Sequence, residues 1–590
     1  MSVRSRWAAR AAICALAALG TALVLDHQRL DSATMDEPFH ALASAEYVLS
    51  GTAWANLEHP PLVKLLAGVC EARAGARAPS IPQPFSYRTA ETPAHFTFSN
   101  VIGADRLLRA ARFPFPILFF VLVVAAGETA LRRAGPLAGV AAGLLLAFEP
   151  TLVAHAGFLH TDVAAALGFF GATLGTVVAL ERGSWRQWVA AGAALGLLLS
   201  VKFSGVFLVP ILVLVVLVWV LRDGGRPLRD RYRPLAGLAL AAAVSAGTIL
   251  SVDAVATRAM SSAEAEQSVR LFLKSRSVSE SRIETLASLS RLSPAAGHYA
   301  AGLVGVATQN QVGGGVNVLR GKLSVDGFPE YFFVAFLVKS SLGLLLLLAI
   351  ALGAGLTNVL AGGVAAMSTA VLSRRSRLSR LEVILLAPVF FLLVSGTWAS
   401  YNIGIRHMLP AVPLLVVAAV VILFRAAPRL AMPVLLACGV LQAAETLAVH
   451  PFEISFFNLA AGGPAQGERW LNDSNLDWGQ DLVRLARSLP ALGVDEGALT
   501  VAYFGGDSPH YRLPRARLFD PVAGEVTPGL WAVSSYLLAA GPEALACRGQ
   551  ERAAAGYQRL REAIARGRRV GRVGYSIHIV QIAGGEDSPR

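Results

Sequence analysis

Two adjacent carboxylates, Asp36 and Glu37, follow the first apolar run by about ten residues, and a second charged knot, Glu58-His59-Pro60-Pro61, lies ahead of Lys64. Neighbouring acids can divide the work of proton transfer. One serves as general base while the other raises or orients it through like-charge coupling. The plainer account is a solvated acidic loop, since Asp26 and Asp31 share the stretch. The double proline removes backbone freedom and fixes what precedes it. His59 and Lys64 suit an anionic headgroup there, against the plainer account of a polar turn leading into an interfacial helix.

Asp162 closes the run His155-Ala-Gly-Phe-Leu-His160-Thr-Asp162 and opens another apolar segment. An acid at that position is ordinarily a dipole partner or cap, which explains Asp162 but not the two histidines. A histidine–aspartate metal site is the sharper alternative, but no ligand spacing supports it. A divalent metal is therefore unsupported and no cofactor is required.

Cations in or beside apolar runs are costly in lipid unless paired. Lys202 sits in Ser200-Val-Lys-Phe-Ser-Gly205, and Arg406-His407 opens a later segment. Lys339 falls about nine residues into the segment beginning at Tyr331, roughly 13 Å along a helix rising ~1.5 Å per residue. Lys202 can extend its ammonium to the surface, whereas Lys339 calls for a buried anion. Three such cations converging near acids suit a phosphate leaving group.

These groups need a scaffold, and the composition says which kind. Of the 590 residues 54% are hydrophobic and 15% charged, and the mean hydropathy is +0.54. Recurrent long apolar runs then indicate a polytopic α-helical membrane protein. At about 20 residues per crossing we read about eleven transmembrane helices: Trp7 to Leu25, Phe113 to Leu131, Pro136 to Glu149, Asp162 to Leu180, Gln187 to Lys202, Gly205 to Leu221, Pro234 to Val252, Tyr331 to Leu356, Leu381 to Trp398, Met408 to Phe424 and Leu430 to Val449. Arg4, Arg6 and Arg10 precede the first, which lacks a small-residue cleavage site and reads as an uncleaved span.

The net charge of +13 is carried by basic residues lying mostly between spans, which fits topology and membrane lipids and not a nucleic acid. With the N-terminus cytoplasmic, every basic cluster falls inside: Arg132-Arg133, Arg182/Arg186, Arg222 to Arg233, Arg374 to Arg380 and Arg425/Arg429. The loops Asp26 to Arg112, Pro150 to Thr161, Thr257 to Glu330 and Ser400 to His407, with all that follows His450, then face outward. In the first loop, Arg106, Arg109 and Arg112 at three-residue spacing predict an interfacial helix. In the third, Gly313-Gly314-Gly315 reads as flexibility, and no P-loop context surrounds it.

Residues 1–449 are thus expected to form the membrane domain and 450–590 a small α/β C-terminal extracytoplasmic domain. Strands are expected at Leu499 to Phe504, Gly529 to Leu537 and Val573 to Ile582, after a helical face of Leu482, Leu485, Ala486 and Leu489. Asp473-Ser-Asn475-Leu-Asp477-Trp478-Gly479-Gln480-Asp481 lacks the glycine and glutamate of a calcium loop and reads as a helix start capped by Asp477 or Asn475. Cys70 and Cys547 can pair in an oxidising compartment, or stand as two unrelated thiols.

Asp36-Glu37 after the first span, Glu58-His59-Pro60-Pro61, Asp162 after the third and Lys339 in the eighth resemble the GT-C membrane glycosyltransferases. The similarity is nearest to the dolichyl-phosphate-mannose protein mannosyltransferases and the lipid A aminoarabinose transferases, and covers Trp7 to about His450. Bacterial members often carry a tail like Ser474 to Asp481. The resemblance implies a GT-C type fold and inverting transfer of a sugar from a polyprenyl-phosphate donor to a hydroxyl of a protein, lipid or glycan, at the outer face of the bacterial inner membrane. Asp36 matches the general base and Glu37 its support, while Glu58 and Asp162 match acidic positions of the site. His59 stands where the aminoarabinose enzymes have lysine, and Pro38-Phe39-His40 where they carry an arginine. The candidate contacts to substrate and lipid phosphate are His40, His59, Lys64, Lys202, Lys339, Arg406 and His407. A flippase of lipid-linked sugars would place charges near mid-membrane in inverted repeats, and a non-catalytic envelope assembly factor would not need the acids.

Overall fold

The computed structural model describes residues 3–82, 90–222, 228–312, 315–368 and 380–583. Gly313 and Gly314, and much of the basic stretches 222–233 and 374–380, lie outside the described residues. All eleven apolar segments coincide with helices, because a helix satisfies its backbone hydrogen bonds within its own segment. Among the described residues six helices are long and apolar enough to cross a membrane: Val3–Gln28, Ala104–Ala134, Asp162–Arg182, Phe203–Leu221, Tyr232–Ala256 and Pro428–Val449. The helices Pro136–Ala147, Trp185–Leu199, Ile384–Gly396 and Ala411–Ala426 are shorter.

The eighth segment departs from a straight span. Tyr331–Lys339 and Leu342–Asn358 are bent by 111° at Ser340-Ser341. The backbone groups freed at the bend find side-chain partners: Asn458 Nδ2 donates to the Leu337 and Ser340 carbonyls, and the Leu342 amide donates to Glu445. Lys339 therefore sits at a corner and not partway down a continuous helix.

Ala411–Ala426 runs through the centre, with Val412, Leu414, Val416, Val417, Val420, Val421 and Leu423 all buried. Elsewhere small residues let helices close on one another. A Cβ added at Gly192 would lie 2.4 Å from the Ala241 carbonyl oxygen, so the Trp185–Leu199 helix meets its partner through backbone contact. Arg106 and Arg109 are exposed, as on an amphipathic helix, but Ala104–Arg112 continues into Pro114–Ala134 and Arg112 is turned inward and buried.

Toward the C-terminus the chain forms a five-stranded sheet in the order Arg517–Leu518, Leu499–Ala502, Gly529–Ser534, Ile577–Ile582, Arg568–Val573. The first three are parallel to one another and the last two add antiparallel. Period-two alternation sorts its faces: Trp531 and Val533 pack with Leu560 and Ile564 of the Glu551–Arg566 helix, and Ala532 packs with Leu482 and Leu485. The expected segments Leu499 to Phe504, Gly529 to Leu537 and Val573 to Ile582 contain the strands Leu499–Ala502, Gly529–Ser534 and Ile577–Ile582, with a helix from Ser535 and a turn after Val573 shortening the last two, whereas Arg517–Leu518 and most of the arginine-rich Arg568–Val573 lie outside those segments. All four cysteines are free thiols, Cys70 and Cys547 included.

Candidate functional site

Three chain regions far apart in sequence meet at one end of the helix bundle. Asp36 precedes the short helix Glu37–Ala45, whose Pro38 favours a first helical turn. Asp162 is the first residue of Asp162–Arg182. Arg406 lies in the 3-10 turn Ile405–Met408, held there because the Ile405 amide donates to Asn475 Oδ1. One Arg406 nitrogen lies 3.4 Å from Asp36 Oδ2 and 4.0 Å from Asp162 Oδ2. The other Asp162 oxygen accepts from Lys202 Nζ at 2.6 Å. Lys202 reaches it from extended backbone at the break between Trp185–Leu199 and the 3-10 turn Phe203–Phe207. Asp162 is thus an ion-pair partner with Thr161 ahead of it at the cap position, and makes no cap of its own.

The two acids differ in setting. The Asp162 side chain is 1% exposed and that of Asp36 41%. Asp36 is therefore the one open to a ligand. Burial still raises its pKa above the ordinary aspartate value; Arg406 opposes that rise, while Asp162 and Glu37 reinforce it.

Glu37 has a different task. Its carboxylate takes two hydrogen bonds from buried Arg112, at 2.8 and 2.6 Å, and accepts the Thr34 and Leu159 amides. Glu37 thereby ties the Asp36 loop to the loop before Asp162. Arg112 also donates to the Gln28, Asp31 and Ser32 carbonyls, so this charged pair has nearly every polar atom satisfied, as buried pairs require.

Imidazoles line the cleft beside these charges. The His40 ring lies 5.5 Å from His59 and 5.1 Å from His160. Burial lowers their pKa values, to about 3 for His40 and well below the usual histidine range for His59, His160 and His407, and nearby Lys and Arg lower them further. They are neutral at pH 7 and act as hydrogen-bonding dipoles, whereas the sequence reading treats His40, His59 and His407 as phosphate-binding candidates alongside the cations and leaves His160 out of that set.

Buried polar atoms are nearly always partnered. Asp162 Oδ2, Arg406 Nε, His40 Nδ1, His155 Nε2 and His407 Nε2 are buried without a hydrogen-bond partner, and they belong to this one cluster. Five unpartnered buried polar atoms therefore gather around this cleft. Among the described residues no three His, Cys, Asp or Glu side chains are placed to hold a metal ion.

Other candidates point elsewhere. Glu58 pairs with Arg276. Lys64 is wholly buried, donating to the Asn56 and His59 carbonyls, to Asn56 Oδ1 and to the Tyr47 hydroxyl. Lys339, expected to face an anion, is attracted by the buried carboxylate of Glu149, donates to the carbonyls of Ile454 and Asn475 at 2.8 and 2.6 Å and lies 4.5 Å from the Phe457 ring centroid. With three protons per ammonium, both lysines are engaged in holding loops together.

The tail motif corrects the reading as a capped helix start. The helix Leu482–Ser488 follows Asp481, which makes no side-chain cap. Asn475 bonds Ile405 and Tyr331, and Asp477 accepts the Tyr536 and Gly479 amides. Trp478 enters the cleft, its ring 4.5 Å from the Arg406 guanidinium and 4.3 Å from His160. Its carbonyl accepts the Met35 amide, one residue before Asp36. Asp473 stands nearby, raised to about 7 by burial against the pull of Arg406. Arg112, Trp478 and Asp473 are the residues that sequence reasoning missed. Arg112 follows an amphipathic spacing that explained it too well, and the other two sit in a motif that reads as a capped helix start.

Residues 96–249 match the family described as dolichyl-phosphate-mannose-protein mannosyltransferase. This bears out the resemblance to that group of membrane glycosyltransferases, over a segment that includes Asp162 and Lys202. No curated protein matches the chain significantly. The solved protein O-mannosyltransferase complex of S. cerevisiae bound to the sugar donor aligns at 19% identity and a TM-score of 0.33, over 44% of this chain and 35% of that one. The chain thus spans about a third of that relative's length. ArnT from Cupriavidus metallidurans in the apo state aligns at 15% identity and a TM-score of 0.30, covering 97% of this chain and 99% of that one. ArnT from the same organism bound to undecaprenyl phosphate aligns at 14% and 0.31, covering 98% of each.

Proposed function

We propose that the chain transfers a sugar from a polyprenyl-phosphate donor to an acceptor hydroxyl, with inversion at the anomeric carbon. The observation that carries this reading is Arg406 lying within 4.0 Å of both Asp36 and Asp162, with Lys202 on the far side of Asp162. One open carboxylate and two cations are what the reaction needs. Asp36 takes the proton of the acceptor hydroxyl as its oxygen attacks the anomeric carbon. The bond from that carbon to the phosphate oxygen breaks, and its electron pair leaves with the lipid phosphate. Arg406 and Lys202 meet the charge that develops there, in a site screened from bulk water.

Asp162 in this reading holds both cations in place and does not touch the sugar. His40, His59, His160 and His407, as neutral donors, serve the sugar hydroxyls and phosphate oxygens. Lys64, Lys339, Glu37 and Glu58 build the frame. The cluster and the C-terminal sheet lie on the outer side of a bacterial inner membrane, with the N-terminus cytoplasmic, as the distribution of arginines favours.

The deciding experiment is reconstituted protein given a polyprenyl-phosphate sugar, comparing the parent with Asp36→Asn. Turnover is expected to collapse while donor binding persists. Undiminished transfer would remove Asp36 from the chemistry, and transbilayer movement of the intact donor without transfer would favour a flippase.

A further inference from the structure

A second basic site lies apart from the cleft and takes no part in the proposed chemistry. Arg320, Ala460, Ala461, Gly462, Gln466, Arg469 and Trp470 line a pocket of about 420 Å³. Arg320 comes from the tip of the hairpin Asn317–Leu319/Lys322–Ser324, and Arg469 from the 3-10 turn Pro464–Arg469. Both guanidiniums are exposed, and neither has an acidic partner among the described residues. The neighbouring acid, Glu468, is already held by Arg572, His578 and the Ser535 hydroxyl.

The pocket is built and not a chance meeting of surface arginines. Arg320 and Gly321 both take positive φ, +50° and +72°, the geometry of a tight two-residue hairpin turn. Asparagine or glycine fits that first position with less strain, yet arginine occupies it. The Arg320 amide donates to the Trp470 carbonyl at 2.8 Å, and its guanidinium lies 5.6 Å from the Trp470 ring centroid, which orients the planar donor fork. The Trp470 indole in turn donates to the Ala461 carbonyl.

The pocket also has an address. Its loop is pinned to the membrane helices, with Asn458 on Leu337 and Ser340 of the bent pair and the Leu459 amide on Glu445 of Pro428–Val449. Leu459 is 69% and Leu337 58% exposed. Apolar side chains open to the surroundings on membrane helices mark a surface that lipid covers. The two guanidiniums, without an acidic partner among the described residues, thus share this surface with exposed Leu459, the residue before Ala460 of the pocket lining.

We infer that this pocket binds the phosphate of an anionic lipid, with Arg320 and Arg469 as its charged contacts and Leu459 and Leu337 against the acyl chains. Arginine pairs bind phosphate through parallel N–H donors. The shared chemistry is a phosphate group, and its source is separated by experiment. The full-length protein in neutral-lipid nanodiscs is titrated with dioctanoyl phosphatidic acid, with dioctanoyl phosphatidylcholine and with inorganic phosphate. Saturable binding of phosphatidic acid is expected, weakened at least about tenfold in R320Q/R469Q and weakened less in R320K/R469K, which keeps the charge but loses the stacked, bidentate fork. The melting temperature of each variant without lipid checks folding. Equal affinity for inorganic phosphate would overturn the lipid assignment, and phosphatidic acid binding untouched in R320Q/R469Q would overturn the site. Both results are independent of whether Asp36→Asn abolishes transfer.

Discussion

Arg406 rests on the ring of Trp478 at 4.5 Å, joining a turn between membrane helices to a loop 72 residues further along the chain. A guanidinium over an indole in a desolvated site is stabilised by about 2 kcal/mol, and the ring face decides where Arg406 points. Trp478 is a positioning residue by this account. Trp478→Phe should keep most of the transfer activity, whereas Trp478→Leu should lower kcat by roughly thirtyfold, the equivalent of that stacking energy. Steady-state kinetics on the folded variants checks this. Equal rates in the two variants would show that the ring acts only as filler.

Asp36 and Glu37 are adjacent yet should fail differently. Asp36→Asn removes a partly exposed carboxylate, so turnover should fall by about 10²–10⁴-fold, the usual range for a general base. Its melting temperature should stay near the parent's. Measuring transfer and thermal unfolding on one preparation separates the two effects.

Glu37→Gln leaves Arg112 buried without its anion. Breaking one side of such a pair costs about 3–5 kcal/mol, so the variant should unfold at markedly lower temperature or denaturant concentration. Glu37→Gln/Arg112→Met should recover part of that loss by removing the stranded charge. A double variant no more stable than Glu37→Gln would mean the pair is not coupled as drawn.

The tail motif predicts a pH dependence of stability. Burial raises Asp477 to about 8 and Asp473 to about 7. Between the ordinary aspartate value and those figures the folded chain binds more protons than the unfolded chain, so stability is greatest below pH 4 from these groups and falls as pH rises through 7 to 8. Thermal unfolding of the parent should therefore lose stability from pH 5.5 to 8.5, and Asp477→Asn should flatten the slope. A slope unchanged by Asp477→Asn would place the proton elsewhere.

Local chemistry was readable without a structure. Apolar run length predicts where helices lie, since a helix is satisfied within its own segment, and all eleven runs are helical. Charges beside apolar runs single out Asp36, Asp162, Lys202 and Arg406, because an ion there needs a partner. The bend at Ser340-Ser341 was not readable, for it depends on Asn458 and Glu445 supplying distant donors and acceptors.

Which charges meet was likewise decided only by packing. Asp36 and Arg406 are 370 residues apart, and nothing local distinguishes Arg406 from Lys339, whose ammonium is taken up by two carbonyls. The sequence by itself determined a helical membrane scaffold with costly charges at its ends. The tertiary structure decided that Glu37 clamps, that Asp36 stays open, and that Trp478 enters the cleft. The physical reason is range: hydrophobicity and backbone bonding act within a segment, whereas ion pairing and ring stacking act across whatever surfaces the packed helices bring within a few ångströms.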